Sequence, residues 1–229
     1  MKVILFGATG MVGQGVLREC LLDPGVERVL AVGRGSTGQR HAKLSEVLHT
    51  DFTDFSSIEG KLAGFEACFF CLGVSSAGKS EKDYRRVTYD FALAAAQVLA
   101  RLNPGMTFIY VSGAGTDSTE RGRSMWARIK GETENALLRM PFKDVYMFRP
   151  AFIQPRHGAS SRTPWLRALY AVVTPLYPVW KALFPRWVTT TDQVGRAMIH
   201  VARHGFTNRV LESPDIDGIR PAGDSPASG

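Results

Sequence analysis

The sequence predicts a doubly wound α/β domain, a parallel sheet held between layers of helices. Two patterns predict it. Short apolar runs rich in Val, Ile and Phe alternate with longer segments of helical periodicity. The runs are also apolar without a break, as in Cys68-Phe69-Phe70-Cys71-Leu72 and Phe108-Ile109-Tyr110-Val111, which is how strands read when helices cover both faces of a parallel sheet. With 229 residues and 45% hydrophobic content, the chain can bury one core of ordinary size.

Taken in order, residues 3–6 read as a strand and 11–22 as a helix, followed by strands at 29–32 and 47–49. A strand at 67–72 leads into a helix at 82–102, a strand at 106–112 into a helix at 125–139, and a strand at 145–149 closes the regular part. The texture then changes. Residues 155–164 are loop-like, and 165–187 mix aromatics with prolines, the mark of a small substrate or lid region. Thr189, Thr190, Thr191 and Asp192 supply helix caps ahead of an amphipathic stretch at 194–202, and the Pro/Gly/Ser/Asp-rich tail from Asp215 reads as mobile. The expected division is a nucleotide-binding core at 1–155, a C-terminal substrate or lid region at 156–211, and a tail at 212–229.

The formal charge of +7 is scattered over the chain, which argues against a nucleic-acid arm. Three cysteines are too few and too odd in number for a secreted disulfide framework, so the expected compartment is the cytoplasm. The apolar start breaks at Gly7 and lacks the form of a signal peptide. Pro175, Pro178, Lys181 and Pro185 interrupt the best candidate for a membrane span, and a soluble monomer or homodimer is expected.

Chemistry enters at Gly7-Ala8-Thr9-Gly10-Met11-Val12-Gly13, between the first strand and the first helix. A glycine turn in that place lets main-chain N–H groups approach a pyrophosphate closely, so Gly7, Thr9, Gly10, Met11, Val12 and Gly13 are read as the cradle of a dinucleotide in a Rossmann-type fold. The second strand ends at Gly33-Arg34, where folds that select NAD carry an acidic residue; a cation there suits the 2′-phosphate of NADP, and NADP(H) is expected over NAD(H). Asp51 and Phe52 follow the third strand and are candidates to line the adenine. Cys71, Leu72 and Gly73 end the fourth strand, where a glycine leaves room for ribose and phosphates. The Cys68/Cys71 spacing points the two thiols to opposite faces of a strand, so neither a metal site nor redox chemistry is expected.

Together with Val111-Ser112, Lys130-Gly131-Glu132-Thr133-Glu134 and Phe148-Arg149-Pro150, these segments resemble the extended and atypical short-chain dehydrogenase/reductases over residues 1 to about 155. Within them the chain looks most like the Tat-interacting-protein oxidoreductase-like branch and bacterial NAD(P)-dependent epimerase/dehydratase-like proteins. The resemblance implies a catalytic serine after the fifth strand, matched by Ser112, and a Tyr-x-x-x-Lys on the next helix. Lys130 matches the lysine, which in that family holds the nicotinamide ribose and lowers the pKa of the tyrosine. The tyrosine position is Trp126, whose indole N–H can donate a hydrogen bond but is no acid near neutral pH. The resemblance also places Pro150 and Phe152 beside the nicotinamide; Arg149 is read either there or as a structural residue.

Aromatics between Trp165 and Phe184 are read as core packing or as an apolar pocket wall. Three functions are expected to compete. The first is an NADP(H)-dependent oxidoreductase of a small apolar carbonyl/alcohol pair with an altered proton relay. The second is a catalytically weak module whose NADP(H) occupancy regulates binding to a partner, motivated by Trp126. The third, epimerase or dehydratase chemistry, is disfavoured by the missing tyrosine and the short C-terminal region.

Overall fold

The computed structural model of the chain describes residues 1–159 and 188–219. The first half runs β1 (Lys2–Phe6), α1 (Met11–Leu22), β2 (Arg28–Gly33), β3 (Leu44–Leu48), a short 3-10 helix (Ser56–Lys61) and β4 (Ala67–Phe70). Then come α2 (Glu81–Arg85), a π-helical stretch (Arg86–Asp90), α3 (Phe91–Leu102), β5 (Thr107–Val111), α4 (Met125–Leu138) and β6 (Asp144–Arg149). The chain closes with β7 (Phe152–Gln154), β8 (Val188–Thr190), α5 (Thr191–His204), β9 (Val210–Glu212) and α6 (Ser213–Gly218).

Seven strands form one sheet in the order β3-β2-β1-β4-β5-β6-β9, every neighbouring pair parallel. This is the Rossmann arrangement with one added edge strand. β7 and β8 make a separate parallel pair. The period of two along β1 sends Val3 and Leu5 into the layer shared with Val16 and Leu17 of α1 and with Val194 and Met198 of α5. Ile4 and Phe6 face the other layer, with Ala92, Ala95 and Leu99 of α3 and Leu137 of α4. Two buried faces explain the unbroken apolar runs. Cys68 lies in the second layer and Cys71 packs against the first, so the thiols do face apart, and burial pushes both up in pKa.

Several boundaries differ from expectation. β3 begins three residues early, because its register against β2, Val29 with Leu44 through Gly33 with Leu48, is set by the neighbour and not by its own hydrophobicity. The expected helix at 82–102 contains the π-helical stretch. Residues 213–218, part of the expected tail, fold as α6: Pro214 sits in its first turn, and Glu212 and Asp215 form a reciprocal capping box. Ile216, on the inner face of α6, is fully buried. α5 starts where its cap residues put it, with the Thr190 side chain accepting from Gln193 N–H at 3.3 Å. No helix among the described residues is long and apolar enough to cross a membrane. The aromatic stretch between Trp165 and Phe184 lies outside the described residues.

Candidate functional site

The strand order reverses between β1 and β4, which opens a crevice at their carboxyl ends. Gly7 stands there with φ +79°, and a Cβ on it would lie 2.6 Å from Leu72 N and 2.7 Å from the Cys71 carbonyl. Both the left-handed backbone and the contact with residues 71–72 therefore require glycine. A Cβ on Gly13 would lie 2.0 Å from Gly7 O, so this glycine lets α1 press onto the turn. Gly10 N–H donates to Gly7 O at 2.9 Å, Gln14 N–H to Gly10 O at 2.8 Å, and the Gln14 side chain braces the turn through Thr9 O at 3.0 Å. α1 opens at Met11 with no side-chain cap and no acidic residue in its first turn. Its opening amides, Met11, Val12 and Gly13, thus carry the positive end of the helix dipole with no acidic residue in their own turn, which fits a pyrophosphate.

Past β2, Arg34 is exposed and makes no ion pair among the described residues. The loop after it is pinned by Glu46 of β3, which accepts from the Ser36 hydroxyl and from Thr37 N–H, each at 2.7 Å. Asp51 is exposed, and hydrogen bonds from the Thr53 hydroxyl and Thr53 N–H hold its carboxyl below the usual range. The Phe52 ring turns into the core against Phe6, Phe55 and Phe91, and the residue as a whole is buried. A Cβ on Gly73 would meet nothing within 4 Å among the described residues.

Ser112 follows β5 directly. Its N–H donates to Phe148 O at 2.7 Å and Ala114 N–H donates to Pro150 O at 3.1 Å, so pairing with the β6 segment continues beyond the strand ends and sets Ser112 beside Pro150. The Ser112 hydroxyl lies 3.0 Å from Thr116 Oγ1, which itself donates to Gly113 O at 2.7 Å. Since Thr116 has one proton and uses it there, Ser112 is the donor of the pair. Lys130 of α4 reaches over the ring of Tyr110, with Nζ 5.3 Å from its centroid. Tyr110 precedes Ser112 by two residues and so shares its face of the strand. Burial lowers Lys130 from 10.5 to about 8, with the nearby Glu134 carboxylate opposing the shift. Trp126, one helical turn earlier, lies against the turn at Gly115, its Cη2 3.5 Å from where a Cβ there would be. Ser112, Lys130 and Trp126 are thus gathered around residues 110–116.

The loop between β5 and α4 is locked. The Asp117 carboxylate accepts from the N–H groups of Thr119, Arg121 and Gly122, and a Cβ on Gly131 would fall 1.8 Å from Asp117 O, so the loop rests on α4 at a glycine. Arg149 is structural. Its Nε donates to both carboxylate oxygens of the buried Glu134, at 3.0 and 3.1 Å, and it also reaches Ser118 and Glu212. Pro150 is buried, and Phe152 begins β7 opposite Val188. Thr116, Asp117 and Glu134 were not singled out from the sequence; only their polarity beside a motif serine or lysine hinted at a role.

The sequence profile described as the NAD dependent epimerase/dehydratase family matches residues 3–120. Protein fmp52, mitochondrial, of Emericella nidulans is 25% identical over 216 residues, spanning 91% of this chain and 90% of that one. Protein FMP52, mitochondrial, of Saccharomyces cerevisiae is 26% identical over 208 residues, 88% and 87% of the two chains. Protein HTATIP2 of Rattus norvegicus is 25% identical over 167 residues, 72% and 68%. These fungal names correct the expected cytoplasmic placement, because a shortage of cysteines speaks only against an oxidising compartment and does not distinguish among reducing ones. Among solved structures, Bordetella bronchiseptica WbmF in complex with NAD+ superposes with TM-score 0.68 at 17% identity, covering 93% of this chain and 72% of that one. DesIV, a dTDP-glucose 4,6-dehydratase of Streptomyces venezuelae with NAD and TYD bound, gives 0.69 at 16%, covering 93% and 75%. At such identities the likeness concerns the fold.

Proposed function

Because this chain belongs to the NAD dependent epimerase/dehydratase family, we propose that it is an NADP(H)-dependent oxidoreductase acting on a small, apolar carbonyl/alcohol pair. The observation that carries this reading is the meeting of Ser112 and Lys130 around Tyr110, at the same carboxyl edge of the sheet as the glycine cradle. When bound, the nicotinamide supplies or accepts a hydride. The main-chain amides of Met11, Val12 and Gly13 hold the pyrophosphate, Asp51 borders the adenine above the buried Phe52, and Pro150 and Phe152 flank the nicotinamide. Cys71, Leu72 and Gly73 border the ribose and phosphates, and Thr9 keeps its place in the cradle. Ser112 turns its hydroxyl from Thr116 to the substrate oxygen and stabilises the charge that develops there. Lys130 binds the nicotinamide ribose.

The preference for NADP(H) rests on Arg34, a cation at the end of β2 with no competing carboxylate paired to it among the described residues. Titrating both reduced cofactors into wild type and Arg34→Ala tests this: affinity for NADPH should fall about 10-fold or more, a loss typical of one charge-assisted contact, with NADH little changed. Equal losses would remove the argument for 2′-phosphate recognition. A second reading, a regulatory module that binds NADP(H) without turnover, is favoured by Trp126 in the tyrosine position. Turnover of a carbonyl panel that disappears in Ser112→Ala would defeat the module; NADPH binding with no turnover, gained on Trp126→Tyr, would defeat the enzyme. Epimerase or dehydratase chemistry remains third, since it too needs the proton chemistry of the missing phenol.

A further inference from the structure

We infer that Nζ of Lys130 is the proton donor of this site in the reductive direction, taking the part that Trp126 cannot play. The inference rests on the oxidoreductase reading and assigns its missing acid. The candidates can be taken in turn. Trp126 presents an indole, which holds its proton at any physiological pH. The Ser112 hydroxyl feeds a chain that ends on the Gly113 carbonyl through Thr116, so it can polarise but brings no acid of its own. Tyr110 is fully buried, and burial pushes its phenol well above the usual range, so it is a poorer acid than a free tyrosine. Tyr84, from α2, is likewise buried, and burial raises its phenol too.

Lys130 differs from all of these. Its ammonium faces the Tyr110 ring at 5.3 Å and has no hydrogen-bond acceptor among the described residues. The charged groups around it come from its own helix and from β6: Glu134, one turn on, whose carboxylate opposes the lowering, and Arg149, which takes both oxygens of that carboxylate, so Lys130 makes no ion pair among the described residues. A half-buried cation with no anion of its own holds its proton less tightly, and burial brings it to about 8. At pH 7 roughly nine in ten copies remain protonated, so the acid is loaded and is about 2.5 pH units stronger than a free lysine. In the step, an N–H bond of Lys130 breaks and its proton joins the substrate oxygen as the adjacent carbon is reduced by hydride. The bonding pair stays on Nζ as a neutral amine, which regains a proton from water.

Reductive methylation with 13C-formaldehyde labels the lysines for NMR, and the Lys130 resonance is the one missing in Lys130→Arg. Its midpoint is expected about 2 pH units below those of the other lysines. Arginine keeps the charge and the ribose contacts but holds its proton, so Lys130→Arg should bind NADPH within about threefold of wild type while reductive turnover falls about 100-fold or more. In wild type, kcat/KM for reduction should be flat below about pH 8 and fall tenfold per pH unit above it. An ordinary lysine midpoint, or a Lys130→Arg chain that still turns over, overturns the assignment alone. A wild-type chain that binds NADPH and reduces nothing overturns the oxidoreductase reading and the assignment with it.

Discussion

Replacing Lys130 by methionine should stabilise the protein at neutral pH, although it removes a site residue. The folded state lowers the lysine from 10.5 to about 8, so it disfavours the charged form that predominates at pH 7. A shift of about 2.5 units corresponds to at most ~3.4 kcal/mol at 1.36 kcal/mol per unit. The side chain is only half-buried, so solvent screening reduces this to about 1–3 kcal/mol. Methionine keeps an unbranched stem and sets a thioether against the Tyr110 ring, so little packing is lost. For a chain of this size that is a rise in Tm of roughly 2–10 °C. The pH dependence carries the sign. Between about 8 and 10.5 the unfolded chain still holds the proton that the folded protein has released, so wild-type stability climbs through this window relative to the methionine variant. Paired thermal melts at pH 6.5, 8 and 9.5 should therefore show a gap that is full at the first and closing at the last. A variant less stable than wild type at pH 7, or a gap that ignores pH, would refute the desolvated lysine.

Two further predictions concern the frame around the site. In Gly131→Ala the new methyl would stand 1.8 Å from Asp117 O and 2.6 Å from Asp117 C, both main chain, so the loop must lift from α4. We expect a loss of about 1–3 kcal/mol in denaturant melts. Turnover should be impaired while NADPH affinity is spared, because the cradle lies on β1 and α1; an unchanged melt would mean the loop does not rest there. Arg149→Met leaves Glu134 buried without its partner and should cost about 3–5 kcal/mol, whereas Arg149→Met with Glu134→Leu should recover most of that. A double-variant loss equal to the sum of the Arg149→Met and Glu134→Leu losses would show that the pair is not coupled.

The core of the fold was legible because each central strand carries its own signal: a run of four apolar residues, buried on both faces, cannot be mistaken for a loop. β7, β8 and β9 were not legible. Each has three residues, too few to display a period, and takes strand form only by pairing with a neighbour. α6 was hidden by its own capping residues, since Ser213-Pro214-Asp215 reads equally as a turn. Within the site, Ser112, Trp126 and Lys130 could be marked from spacing and resemblance, but what each side chain touches could not. The partner of Glu134 lies 15 residues away on another element. The Asn103 side chain, just past α3, ties Gly64 N–H, Phe65 N–H and Leu62 O, which lie 39, 38 and 41 residues earlier, ahead of β4. Such pairings exist only once the topology has closed.

The same pairings bear on the choice between enzyme and binding module. A lysine whose sole duty is to hold ribose hydroxyls performs it as a cation at any pH below its ordinary value and gains nothing from a lowered one. The inexpensive solution for a module would be to let Glu134, one turn along the same helix, pair with Lys130 and keep it charged. Instead Arg149 crosses from β6 to occupy both oxygens of Glu134, and Lys130 is left over an aromatic face without an acceptor among the described residues. That arrangement should lower stability at neutral pH, the effect the methionine variant measures, and yield a group that can part with its proton there. A site that keeps such a cost is better explained by proton transfer than by cofactor retention alone.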